Sequence, residues 1–482
     1  MSTTNEWHER SGHLTLGVMV RPLGAFPSGW RMPGAHADPA DDAAALERLA
    51  LSAEAAKLDY LYFGDWLSTG TDLELTDPHL LVRTEPLSTV AYLAAFTRHI
   101  GLIGTASVSH TEPFATARTA SSIDLLSKGR FGLNLVIGSD PRASANFSAR
   151  GPAGDGDRFE VADEYVGVVR GLWSSVHSAL FTGDAENGAL IDPDLMTALD
   201  HEGPHFSVAG PLNSLPPIQG DIPFAHAGGS PRSRSFAART AELYLTTTSD
   251  LGEAITSYRD ISLQASAAGR AQGDVRIVAP LLPIVASTRQ RAFALYDTLV
   301  SLVPLEGDPG APVRPRSAER TPGRITQLVG MPLSSRSLDD VVTAADAERF
   351  NASGRRLLGI VTKRSGRSVG ARRAPTYRHL LVAQLVTTPI IVGSPSDIAD
   401  HIETWYRASA VDGFTILSAY LHEQFETFAD AVVPELRRRG LFRGDYEGTT
   451  LRDHLGSASP ATPGPGTELH SQRLNQEAVH SD

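Results

Sequence analysis

The sequence predicts an α/β protein built as a closed (β/α)8 TIM barrel, with insertions capping its C-terminal face. Two observations carry this expectation. Residues 100–140 read as a βαβ unit. An apolar run ends in Thr105 and Ser107, a helix follows with Ala117, Ala120, Ile123 and Leu126 at helical spacing, and Lys128-Gly129-Arg130 stops it before a second apolar run. Strands joined by such a crossover are parallel and buried on both faces, so they read as continuous apolar runs. The same alternation recurs eight times along the chain, which favours a closed barrel over an open doubly wound sheet.

In order, the runs expected as strands are residues 14–20, 60–63, 100–108, 131–137, 223–227, 243–247, 277–285 and 413–418. Helical patterns fill the intervals at 41–58, 85–97, 114–127, 158–173, 231–239, 252–268, 289–302 and 398–410, and a last helix spans 423–439. In the first helix Ala43, Leu46, Ala50, Ala53 and Ala56 share one face, while Asp42, Glu47, Arg48, Glu54 and Lys57 mostly point elsewhere. Parallel strands of α/β proteins bind ligands at their C-terminal ends. Thr105, Ser107, Asn134 and Ser139 are expected at such ends, which places a cofactor or substrate site there.

Two segments interrupt the alternation. Residues 138–221 hold one helix and a polar, Gly/Pro-rich excursion, and residues 304–392 carry two helical stretches and the basic run 363–373. Both are too long for structureless connections, so both are expected as insertions over the barrel mouth. Residues 1–455 then form a single barrel domain, and 456–482 lack apolar periodicity and read as a disordered tail.

Composition removes whole classes. A formal charge of -12 opposes nucleic-acid binding, which needs a basic footprint. The basic run is expected as a solvated loop or an anion-attracting lid. The longest apolar runs fall short of the ~18 residues that span a bilayer, and the start lacks a signal-peptide core, so a cytoplasmic protein without membrane attachment is expected. With no cysteine there is no disulfide, thiolate nucleophile or cysteine zinc site. His201-Glu202-Gly203-Pro204-His205 matches HExxH by letter, but Gly203-Pro204 breaks the helix that a zinc site requires. The segment reads as a turn, and no metal is expected.

A better candidate is Ala227-Gly228-Gly229-Ser230-Pro231-Arg232-Ser233-Arg234, where a strand ends in two glycines and a helix begins at Pro231. Glycines let backbone amides approach an anion and the helix start adds partial positive charge, with Arg232 and Arg234 available to reinforce it. The plainer reading is a capped helix with Ser230 as N-cap. Phosphate sites in barrels more often follow strands seven and eight, and this one follows strand five.

Motifs in order along roughly 440 residues add a resemblance. They include Gly29-Trp30-Arg31 with Pro33, Asp59 to Asp65 (DYLYFGD), Arg83, Glu85-Pro86, Thr105-Ala106-Ser107, Glu112-Pro113-Phe114, Leu126-Ser127 with Gly129-Arg130, and Asn134 with Val136. Gly210-Pro211-Leu212-Asn213, Ala227-Gly228 with Ser230, Gly393-Ser394-Pro395, Asp412-Gly413-Phe414 and the segment 433–443 continue them. The chain resembles the bacterial-luciferase-like flavin monooxygenase superfamily, in the branch of nitrilotriacetate monooxygenase, dibenzothiophene-sulfone monooxygenase and the pristinamycin IIA synthase large subunit.

The resemblance implies a barrel that binds reduced FMN (FMNH2) supplied by a separate NAD(P)H:flavin reductase. It also implies insertion of one oxygen atom from O2 into a small organic substrate, by a homodimer or homotetramer. Its motifs carry over Asp65, Thr105 and Asn134 to the isoalloxazine region, Arg158 to the cofactor site and Ser230 to the phosphate, and they name no catalytic residue. The chain has no GxGxxG fingerprint with which to bind NAD(P)H itself. Against these roles, Asp65 could cap a following helix and Thr105 could simply suit a strand. The sequence departs from the branch at Asp155 and Phe159, where a histidine and a tyrosine are usual, and at His110, where a tyrosine is usual. Two other readings follow: a flavin- or deazaflavin-dependent hydride-transfer oxidoreductase on the same barrel, and a non-catalytic luciferase-like binding subunit.

Overall fold

The computed structural model describes residues 13–71, 73–138, 140–147, 157–305, 322–333 and 336–457. Ser139, Asp155 and the tail beyond residue 457 lie outside the described residues. The barrel strands are β1 (Thr15–Met19), β2 (Tyr60–Tyr62), β3 (Gly101–Ser107), β4 (Phe131–Val136), β5 (Phe224–Ala227), β6 (Leu243–Leu245), β7 (Arg276–Val285) and β8 (Gly413–Ile416). Each pairs in parallel with the next, and β8 returns to β1, so the sheet closes. All eight stand where the apolar runs predict.

Helices follow the strands as expected: α1 (Asp42–Ala55), α2 (Pro86–Ala94), α3 (Pro113–Ser127), α4 (Asp157–Ser174), α5 (Pro231–Thr240), α6 (Leu251–Ala267), α7 (Arg289–Leu302) and α8 (Pro395–Arg407). Several starts are set by side chains that accept otherwise unpaired amides: Glu85 takes Leu87 N and Ser88 N, and Asp250 takes Gly252 N and Glu253 N. Two predicted faces are slightly rotated. In α1 the buried positions are Asp42, Ala45, Leu46, Leu49, Ala50 and Ala53, so Asp42 faces inward, with Ala43 exposed, and in α3 the Leu126 side chain is exposed.

Register orders the barrel interior into layers. Tyr60, Tyr62, Ile103, Ala225, Leu243, Leu245 and Val278 fill the lower part together with Leu451 and Leu455 of a short C-terminal helix, Leu451–Leu455. That helix closes the N-terminal end. A Cβ on either Gly101 or Gly132 would stand 2.5 Å from a Leu451 methyl carbon, so glycine at these strand starts lets the helix seat. Above this apolar floor, β3 and β4 turn polar.

After β4, α4 leads to two antiparallel hairpins, Phe181–Asp184 with Ala189–Ile191 and His201–Glu202 with Ser207–Val208. The HExxH letters therefore lie in a hairpin. The turn falls where proline predicts it, although residues 201–202 are strand, and His201 Nε2 hydrogen-bonds Glu164 Oε1 at 3.0 Å. No group of three metal-ligating side chains occurs among the described residues. Between β7 and β8, helices Pro322–Val329, Ala344–Arg349, Ala352–Ser365 and Tyr377–Leu385 lead to a strand, Ile390–Gly393, that pairs with the second half of β7. These helices share an apolar cluster with Phe26, Leu282, Ile284, Leu417 and Tyr420, at or beyond the C-terminal ends of β1, β7 and β8. The basic run is helical only to Ser365; residues 366–373 form a largely exposed loop, as one of the two expectations had it, but two of its arginines are paired. Lys363 and Arg364 end a helix, and Arg367 and Arg373 both pair with Asp297, whose carboxyl is held below the usual range despite its burial by His379 and Arg367. No helix among the described residues is long and apolar enough to cross a membrane.

Candidate functional site

On β3 and β4, Thr105 and Asn134 are cross-strand partners, so their side chains share a face, two residues above the Ile103–Gly132 pair. Both are buried mid-strand, not at strand ends. Thr105 Oγ1 donates to Phe63 O at 2.6 Å and must therefore accept from Asn134 Nδ2 at 2.9 Å. This fixes the amide orientation and leaves Asn134 Oδ1 buried with no hydrogen-bond partner. A buried carbonyl oxygen without a donor is costly, on the order of 1–3 kcal/mol, and it suits a ligand N–H. One layer higher, Ser107 ends β3, and a Cβ on Gly138 would lie 3.6–3.8 Å from Ser107 Oγ, Ser109 Oγ and His110 Nε2. His110 stacks on Phe147, ring centroids 4.3 Å apart, and burial lowers its pKa.

Asp65 follows β2 in the same rim. It does not cap a helix: Oδ1 accepts from the adjacent Trp66 N at 2.8 Å, and burial raises its pKa against that hydrogen bond and the opposing charge of Arg83.

Across the ring, β5 ends in the glycine-rich turn. Gly228 has φ +156°, and a Cβ there would strike the Ser233 side chain, while one on Gly229 would lie 2.6 Å from Thr247 Oγ1. Only glycine leaves this cradle open. Ser230 is the N-cap of α5, accepting from Ser233 N at 3.1 Å, which leaves its hydroxyl proton to donate. His226 bridges Leu135 O and Ser233 Oγ, at 3.0 and 2.8 Å. Arg234 is committed elsewhere, to Asp260 and to Gly229 O. Arg158 and Arg232 each lie 5.5 Å from the ring centroid of Phe159, which packs edge-on against Phe236. The predicted residues thus fall into two groups, Asp65, Thr105 and Asn134 over β2–β4 and Arg158 and Ser230 near the start of α5.

Arg21, after β1, escaped the sequence reading, and Arg83 entered it only as a motif letter. The signal was present, because Arg21 is a lone charge directly following an apolar run. Arg83 Nη1 donates to Gly64 O at 2.9 Å, while its Nε and Nη2 are buried without partners.

Comparison with known proteins agrees with this architecture. The family model described as luciferase-like monooxygenase matches residues 25–413. The N-acetyl-S-(2-succino)cysteine monooxygenase of Bacillus subtilis (strain 168) is 36% identical, over 93% of this chain and 97% of that protein. Nitrilotriacetate monooxygenase component A of Aminobacter aminovorans is 32% identical, with the same coverage of each chain, 93% and 97%. Among solved structures, riboflavin lyase with modified FMN and riboflavin superposes with a TM-score of 0.72 at 26% identity, over 93% of this chain and 97% of that one. The chain belongs to the luciferase-like monooxygenase family. It is an enzyme of the monooxygenase class on a closed (β/α)8 barrel.

Proposed function

We propose that this chain is the oxygenase of a two-component system. Reduced FMN arrives from a separate NAD(P)H:flavin reductase, and one atom of O2 enters a small organic substrate. The observation that carries the reading is the Thr105–Asn134 pair, whose unpartnered Oδ1 stands buried above the barrel floor. A flavin ring presents N–H groups to such an oxygen, and the Gly228-Gly229-Ser230 cradle suits its phosphate. A relative named component A supports a second component.

When bound, FMN supplies the electrons and the site of oxygen activation. The chain's own part is positioning and exclusion of water. Thr105, itself anchored on Phe63 O, locks the Asn134 amide so that Oδ1 accepts. The floor of Tyr60, Tyr62, Ile103 and Leu451 denies water access from below. Ser230 would donate its hydroxyl proton to a phosphate oxygen, with the start of α5 adding partial positive charge. Asp65, with the charge of Arg83 acting on it, would border the ring, and Arg158 and Arg232, both near Phe159, would lie toward the phosphate end.

Purified chain alone should not oxidise NADH, and turnover should appear only when a flavin reductase is added. Robust NADH consumption by the lone chain overturns the reading.

The departures at 155 and 159 have an expected consequence. Phe159 offers no hydroxyl, and Asp155 adds a negative charge to the segment leading into α4. Asp155→His with Phe159→Tyr should tighten FMN by about 1–3 kcal/mol, the value of one or two hydrogen bonds to a charged group. Isothermal titration is the check, and unchanged affinity would separate this segment from the cofactor.

A further inference from the structure

We infer that the substrate carries a carboxylate, and that Arg21 and Arg83 hold it at the rim over β1 and β2. This rests on the oxygenase reading above and adds the substrate class. Arg21 follows β1 at the C-terminal rim, where Val20 N still bonds Tyr62 O of β2, and Arg83 reaches the same rim through Gly64 O after β2. The charge of Arg83 acts on Arg21, and both arginines act on His79.

Like charges brought together out of water need a counter-charge. Asp77 acts on Arg21 and Asp65 on Arg83, but among the described residues neither arginine has an ion pair within 4.0 Å. Two buried N–H-bearing nitrogens of Arg83 also lack any acceptor. Burial lowers Arg21 to about 10, and burial together with the two arginines pushes His79 down to about 2, so the imidazole stays neutral and adds no third cation. The arrangement pairs two cations at one rim with unspent guanidinium donors on Arg83, which suits a carboxylate in charge and in hydrogen-bonding chemistry. The phosphate cradle cannot be its partner: β1 and β5 stand four strands apart on the eight-strand ring.

The test uses the full chain under anaerobic conditions, with and without photoreduced FMN, and isothermal titration as the readout. The probes are nitrilotriacetate, N-acetyl-S-(2-succino)cysteine and the neutral trimethyl ester of the latter. Wild type should bind at least one acid about tenfold more tightly than the ester. Arg21→Gln should remove that preference while leaving reduced-FMN and ester affinity unchanged, and Arg21→Lys, which keeps the charge but not the fork, should fall between. Equal binding of acid and ester, no binding of either acid, or an Arg21→Gln variant that still prefers the acid overturns the inference. Failure of wild type to bind reduced FMN would instead sink the oxygenase reading, so the two can be told apart.

Discussion

Asp59→Ala should destabilise the fold by about 3–5 kcal/mol, the range for removing one partner of a buried ion pair. Asp59 is fully buried between β1 and the C-terminal segment. Its Oδ2 accepts from Leu16 N and its Oδ1 from Arg443 Nη2, both at 2.6 Å. Arg443 in turn donates to Lys57 O at 3.1 Å and lies 4.7 Å from the centroid of the Tyr446 ring. Alanine strands a buried guanidinium and an amide. The double replacement Asp59→Leu with Arg443→Leu should cost less than Asp59→Ala, because no charge is then left behind. Thermal unfolding of the three proteins measures this, and a loss below about 1 kcal/mol for Asp59→Ala would mean that the pair does not tie the chain's two ends together.

Ser230→Ala should weaken reduced-FMN binding about tenfold or more while leaving riboflavin nearly untouched, since a hydrogen bond to a charged phosphate contributes about 1.5–3 kcal/mol. Part of any loss could come from the helix, because Ser230 also caps α5. Ser230→Asp separates the two effects: it keeps a capping oxygen but sets a carboxylate against the phosphate, so it should lose still more FMN affinity at normal stability. Equal losses for FMN and riboflavin in Ser230→Ala would move the phosphate elsewhere.

Much of the fold was legible because buried parallel strands read as predominantly apolar runs, as all eight did, with polar positions such as Thr105, Asn134 and His226 among them. Helix faces were less so. Alanine at 43 and leucine at 126 fit an apolar face by spacing, yet which arc a helix buries is set by the strand beneath it. The candidate site was legible only in part. Thr105 and Asn134 could each be named, but that they bond one another follows from register, which no local pattern specifies. Arg234 looked available and is held by Asp260, over 20 residues away, and Arg367 and Arg373 of the basic run are held by Asp297 in the same way. Arg21 is the converse, a charge whose meaning lies in the partners it lacks. The motif letters Asp59 and Arg443 turn out to hold each other. Some of the most recognisable positions of the sequence are therefore structural.

The floor of the barrel has a consequence for the order of events in synthesis. Leu451 and Leu455, which fill the lower core among residues of β2, β3, β5, β6 and β7, come from the last described helix. All eight strands precede, in the order of synthesis, the side chains that plug their ring. The nascent barrel must wait with its lower opening unfilled until residue 455 has cleared the exit tunnel. Completion of this core waits on that C-terminal helix, and until it seats a chaperone can act on the exposed apolar surface.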